Sequence, residues 1–487
     1  MSFLKKITGD TIIYGISSLG GRIFNYLLIT PYLTRKFQAD VYAAHGIMYS
    51  FAAILLVMLS YRMETAFFRF GSEKGQKDLA FTTASWSILV TTTLLAPLLI
   101  FMAKPLASLL TSPEDHRLVI YFVLITVLDV LAAMPFAKLR LDDRPKRFAV
   151  LKIVNIFLSI LLTLFFLEIL PWLHRYGWSW IGLWFRYDRL MDYVFIANIL
   201  ASGVLLLLLI PAYFKVPWRF DRTLWKKMMI YAWPLILVGV AAFINQFLDR
   251  IMIKHYLGLT DSGIYNGAIK IAILMNLFAQ AYNYASEPFF FNHADHKDSR
   301  LIYAKSAQAF TLVGSWVLVG ILVYMDLIQY LIGRDYRSGL SIVPITLTAY
   351  LLLGIYYSFS IWYKLGDKTY IGAYIALGGS VITIAVNMWL LSRIGFMGSA
   401  YAALACFIFM TVASYLLGQK YFPIPYAIGR MIAYMALAWL LYLASTWIYS
   451  FIDSLSLRVL VGTILFLLFP TIIWFTDRKN VLELIRF

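Results

Sequence analysis

The stretch Phe148–Leu170 reads FAVLKIVNIFLSILLTLFFLEIL and follows directly on a basic decapeptide, Lys138–Arg147 (KLRLDDRPKR). Wound as an α-helix, such a run extends about 35 Å at 1.5 Å per residue. A hydrocarbon core of about 30 Å needs about 20 mainly apolar residues to cross it. The run is therefore a membrane span with charge at its end, and the rest of the chain repeats the pattern. Of 487 residues 61% are hydrophobic and 14% charged, with a mean hydropathy of +0.76. Soluble domains carry about a quarter charged residues. A polar-poor surface of that kind has lipid as its solvent.

Working outward, similar runs occupy 11–33, 41–63, 79–101, 118–139, 191–213, 228–250 and 264–286, then 303–326, 340–363, 371–391, 398–418, 427–449 and 459–476. With 148–170 they make fourteen. The second, tenth and eleventh carry Tyr, Gly or Ser and read more weakly, so a plan of twelve spans stays open. The expected fold class is an all-α polytopic membrane protein. Lys5 and Lys6 before the first run imitate a signal peptide, but Arg22 interrupts it and no small-residue cleavage site follows. A retained first helix is the expectation.

Lysines and arginines alternate in density between successive connections. The N-terminus, the even-numbered loops and the C-terminal tail hold 25, against 13 in the odd-numbered loops. The positive-inside rule places both termini in the cytoplasm, which requires an even number of spans and favours fourteen over thirteen. The same rule accounts for the net charge of +17 without nucleic acid, because no stretch is polar enough to form a basic soluble domain. The connector Lys215–Lys227 (KVPWRFDRTLWKK) is the clearest linker. It predicts an N-terminal lobe over 1–213, a basic cytoplasmic connector over 214–227, a second lobe over 228–420 and two further spans with a tail over 421–487. A faint internal echo, Asp40-x5-Gly46 against Asp261-x5-Gly267, agrees with paired halves. Transporters built from repeats bind substrate at the repeat interface.

Tyr14-Gly15, Arg22, Pro31 and Thr34-Arg35 resemble the first helix of bacterial polysaccharide-repeat flippases. The string Met63–Phe70 (METAFFRF) is similar to the end of their second helix. That family serves O-antigen, capsule and exopolysaccharide synthesis within the multidrug/oligosaccharidyl-lipid/polysaccharide exporter superfamily. The specific matches lie in the first 75 or so positions. The resemblance implies two six-helix lobes in a V, two extra C-terminal helices and alternating access. It further implies a cargo, an undecaprenyl-diphosphate-linked oligosaccharide unit, carried from the inner to the outer leaflet of the bacterial inner membrane. Polysaccharide polymerase machinery and membrane lipids are the implied partners.

Ionisable residues inside spans are the sharpest site signal, because each costs about 2.5–3.5 kcal/mol on insertion scales unless it faces a cavity or partner. Arg22 shares a helical face with Ser18, Asn25 and Tyr26; Asp129 lies mid-span. Guanidinium pairs phosphate oxygens through two parallel bonds, so a cationic cavity around Arg22, extended by Arg62 and Lys270, suits a lipid diphosphate. The plainer reading makes Arg22 and Asp129 a structural ion pair. Asp129 is alternatively a carrier of a coupling proton or a sodium ligand. Glu64 and Arg69 stand at the cytoplasmic entrance, where contact with phospholipid headgroups is the commoner role. Asn276, Gln280 and Asn283 recur on one helical face and, with Asn245 and Gln246, can line a sugar path or simply bond neighbouring helices. Asp249-Arg250 reads as a headgroup-level ion pair closing the seventh span. Trp172, Trp178, Trp180 and Trp184 after span five form an interfacial aromatic belt more readily than a sugar gate.

No enzyme constellation emerges. His293-x2-His296 is the only close histidine pair and lacks further ligands, the lone Cys406 sits in an apolar run, and no Walker, GxSxG or Rossmann motif occurs. No cofactor or metal is expected beyond a proton, a sodium ion or the membrane potential as driving force. Rival readings are a cation-coupled multidrug exporter and a peptidoglycan lipid-precursor flippase. From a different class comes a polytopic glycan polymerase or ligase. Mid-span charges that are mostly basic argue against the drug exporter, and the absence of a large odd-side loop argues against the polymerase.

Overall fold

The computed structural model describes residues 27–73, 75–292, 298–366 and 368–486. Among these, thirteen helical segments are long and apolar enough to cross a membrane, and no strand occurs. They coincide with the second to fourteenth runs. Residues 27–36 are helical (α1) and end the first run. The main helices are α2 (Ala39–Ser60), α3 (Met63–Gly71), α4 (Lys77–Phe101), α5 (His116–Leu141), α6 (Pro145–Leu164), α7 (Leu190–Leu209) and α8 (Arg222–Leu257). There follow α9 (Leu259–Asn292), α10 (Ser299–Val323), α11 (Val343–Phe359), α12 (Thr369–Ile394), α13 (Met397–Tyr421), α14 (Ile428–Tyr449) and α15 (Leu455–Arg486).

The chain folds into two compact units. The first comprises 27–29 with Asp40–Gly263, and the second Thr30–Ala39 with everything from Ile264 onward. Helix α8 packs within the first unit, whereas α14 and α15 belong to the second, where both lie against α10.

In the first unit the METAFFRF string folds into α3, a separate short helix. Tyr61 and Arg62 take left-handed backbone angles (φ 31° and 57°), which end α2 at Ser60 and turn the chain. Met63, Ala66 and Phe67 then face inward and join Phe81, Ile88, Met134 and Met228 in one core cluster. Glu64 in the first turn and Arg69 in the last complement the helix dipole. Around this core Lys138 donates to Asp78 at 2.9 Å and Lys77 pairs with Asp142. The side chain of Asp221 caps α8 by accepting from the backbone N–H groups of Thr223 and Leu224.

In the second unit the end of the first run is pinned to the 3-10 segment Arg334–Ile342. The Gly333 N–H donates to Thr34 Oγ1 (3.1 Å) and the Tyr336 hydroxyl to the Phe37 carbonyl (2.8 Å). Only a glycine fits at 333, because any Cβ there would run into the Thr34 carbonyl. After α6 a π-helical turn, Phe165–Ile169, carries the chain into a folded aromatic cap in the first unit, with Ile181 buried and Trp172, Trp178, Trp180 and Trp184 exposed. Prolines 97, 135 and 234 lie inside helices, whereas Pro211 and Pro344 start them.

Candidate functional site

Arg22 and Asn25, with the rest of their polar stripe, lie outside the described residues. Asp129 is described. It stands midway along α5 on an open stretch of helix surface, where its Oδ1 accepts from Ser202 Oγ of α7 at 2.9 Å. The cation whose field reaches it is Lys152 of α6. The Lys152 ammonium lies 4.3 Å from the centroid of the Phe136 ring, two turns along α5 from Asp129 and on the same face. One turn from Ser202, Asn198 donates to the Tyr49 hydroxyl at 2.7 Å. One turn from Lys152, the buried Asn155 amide nitrogen has no hydrogen-bond partner. Three helices thus carry polar groups around Asp129, with the carboxylate itself at mid-membrane depth and the Lys152 ammonium nearer one end. An uncovered carboxylate at that depth is costly in lipid and cheap beside water.

Arg62 requires a correction. It is not in the second span but in the break after it, partly buried, with its guanidinium packed against α8. A Cβ added at Gly239 would come within 3.1 Å of Arg62 Nη2 and 2.9 Å of Val57, so the glycine makes room for the arginine. Asp249 and Arg250 need a second correction. Their ion pair is real (3.2 Å), but α8 continues to Leu257, so it does not close the span. Arg250 is only 4% exposed and also donates to the Gln246 carbonyl at 3.0 Å. Buried pairing of this kind locks a helix rather than greeting headgroups. Glu64 and Arg69 occupy opposite ends of α3.

In the second unit Lys270 is half-buried on α9. Asn276 is buried and accepts from the Gln280 side chain at 3.2 Å, so two members of the expected polar face bond each other along the helix. Asn283, one turn on, is half-buried. Glu287 pairs with Lys364 at 3.0 Å, and α9 runs on past it to Asn292. The sequence reading missed Tyr282, whose hydroxyl bridges Ser306 (3.0 Å) and Ser358 (2.7 Å). It also left Lys152 without a role, although a lysine inside a span was signal enough. Ser202 carried none, since serines are ordinary in spans. No cluster of three potential metal ligands occurs among the described residues.

These helices define the class: a multi-pass α-helical membrane protein with the fold of the lipid and drug exporters. A structure of the lipid II flippase MurJ in an inward closed conformation superposes with a TM-score of 0.73 at 17% identity, covering 95% of this chain and 99% of that one. An inward-facing MATE family multidrug resistance transporter gives 0.62 at 14% identity, covering 86% and 95%. At such identities the likeness is one of fold. The family comes from sequence: residues 7–294 match the polysaccharide biosynthesis protein family, and the chain belongs to it. A Haemophilus influenzae protein of the Lsg locus is 23% identical over 350 residues, 68% of this chain and 78% of that protein.

Proposed function

We propose that the protein flips undecaprenyl-diphosphate-linked oligosaccharide repeat units from the inner to the outer leaflet of the bacterial cytoplasmic membrane. Surface polysaccharide, lipopolysaccharide O-antigen included, is the product this transport serves. The carrying observation is that one chain combines membership of the polysaccharide biosynthesis family with an exporter fold over nearly its whole length. Both termini are cytoplasmic on this reading, following the 25 to 13 distribution of basic residues. The protein acts as a transporter, not an enzyme. Alternating access carries the cargo past a cationic surface centred on Arg22 with Arg62 and Lys270, and the polar face of Asn276, Gln280 and Asn283 meets its sugar. Asp129, in the field of Lys152, exchanges the coupling proton, because a mid-membrane carboxylate facing water can change its charge during the cycle.

Reconstitution with a fluorescent lipid-linked oligosaccharide tests the reading. Wild type should move the lipid to the opposite leaflet, Arg22→Lys should retain part of the rate and Arg22→Ala should lose most of it. Wild-type rates in Arg22→Ala remove the cationic surface from the mechanism. New glycosidic bonds formed by the purified protein, or no flipping by wild type, overturn the function itself.

A further inference from the structure

The outer end of the second unit holds a cavity of about 360 Å³ between the ends of α10, α14 and α15 and the start of α11. Its polar lining includes Asp326, Tyr442, Ser445, Thr446, Tyr449 and Arg458. Arg458 donates to the Ile452 carbonyl (2.6 Å), the Tyr449 carbonyl (3.1 Å) and Asp326 Oδ2 (3.2 Å). A guanidinium has five N–H donors, so two remain for a ligand. The hydroxyl protons of Ser445 and Thr446 are committed to the Tyr442 and Leu443 carbonyls at 2.7 and 2.8 Å, which leaves their lone pairs as acceptors. The Tyr449 hydroxyl is likewise spent on the Val323 carbonyl at 2.8 Å.

Fixed acceptors, two free donors and two tyrosine rings surround a charge pair that is neutral overall. An anion gains little there, because Asp326 already neutralises Arg458 and repels a second negative group. A neutral polyol uses every element: hydroxyls for the donors and acceptors, and an apolar ring face for the tyrosines. The volume lies at the small end of ligand sites, which run about 300–1,000 Å³.

We infer that this cavity is a carbohydrate-binding site on the extracytoplasmic face, taking one or two neutral sugar residues. The inference rests on the orientation and the sugar cargo proposed above. A site there can hold the emerging glycan clear of re-entry.

Cys406, buried in α13, is the chain's single cysteine, so Cys406→Ala with Ser450→Cys places one thiol on the lining of the cavity. Maleimide labelling of the solubilised full-length protein is timed with neutral hexoses, N-acetylhexosamines and their disaccharides. Inorganic phosphate and glycerophosphoethanolamine serve as the charged probes. At least one neutral sugar should slow labelling five-fold or more, the charged probes should not, and Tyr442→Leu or Asp326→Asn should weaken the protection without altering the unprotected rate. If Ser450→Cys does not fold, Leu340→Cys, on the same lining, reports the same protection. Protection by no sugar, or only by a charged probe, overturns the inference. Flipping by a protein that no sugar protects removes the site and leaves the function standing, whereas sugar protection without flipping does the reverse.

Discussion

Lys152→Met removes the cation whose field reaches Asp129. Asp129 is thirteen residues from the start of α5 and twelve from its end, so about 18–20 Å of helix lies on either side. Its short side chain cannot reach an interface, and the most that losing the cation's field can cost is the insertion cost of a carboxylate in lipid, about 2.5–3.5 kcal/mol. That corresponds to a loss of about two orders of magnitude in the folded to unfolded ratio. The reverse change, Asp129→Asn, should cost less, about 1 kcal/mol or under. Lys152 is only seven residues into α6, about 10 Å from its end, and its stem can carry the ammonium toward the headgroups. The double variant Asp129→Asn/Lys152→Met removes both charges and should return near wild-type stability. The cycle then yields a coupling of up to about 3.5 kcal/mol. Reversible unfolding of the purified protein in mixed micelles measures all four corners. A coupling within about 0.5 kcal/mol, the scatter of independent sites, refutes the pairing. The flipping assay on the same four proteins reports coupling separately: the double variant should be stable and poorly active if Asp129 carries the proton.

Phe67→Ala empties a fully buried position in the α3 core and should cost about 3–5 kcal/mol, whereas exposed Arg69→Ala should stay within about 0.5 kcal/mol; thermal unfolding separates the two. Gly239→Val drives a branched side chain into Val57 and Arg62 and should destabilise by about 1–3 kcal/mol, with part of the loss recovered in Gly239→Val/Val57→Ala. In a Cys406→Ala background, Trp180→Cys should react with an impermeant maleimide on intact cells and Lys226→Cys only after permeabilisation; the opposite pattern reverses the topology.

Much of the architecture is legible in the order of the residues alone. Each span satisfies its own backbone hydrogen bonds in lipid, so length and apolarity locate it locally, and all thirteen described spans fall where the runs predict. Breaks are less legible. Nothing in Tyr61-Arg62 announces a left-handed turn, because neither is a glycine, asparagine or aspartate and Arg62 with Glu64 reads equally well as charge at the end of a span. The end of α8 is misplaced for a related reason: Asp249-Arg250 looks like a terminus until the two charges are seen to satisfy each other inside a helix that continues.

The candidate site divides in the same way. By itself the sequence determined the spans, the side bearing the excess of basic charge and which residues are expensive in lipid, since each follows from one segment meeting one solvent. Only the tertiary structure decided which of those residues meet. Asp129 accepts from Ser202 and lies within the field of Lys152, with which it shares no helix, Gln280 donates to Asn276, and Arg458 closes a cavity with Asp326 from 132 residues away. Which charge meets which depends on the rotation and crossing of packed helices, set by side-chain fit along whole interfaces rather than by any short stretch of chain.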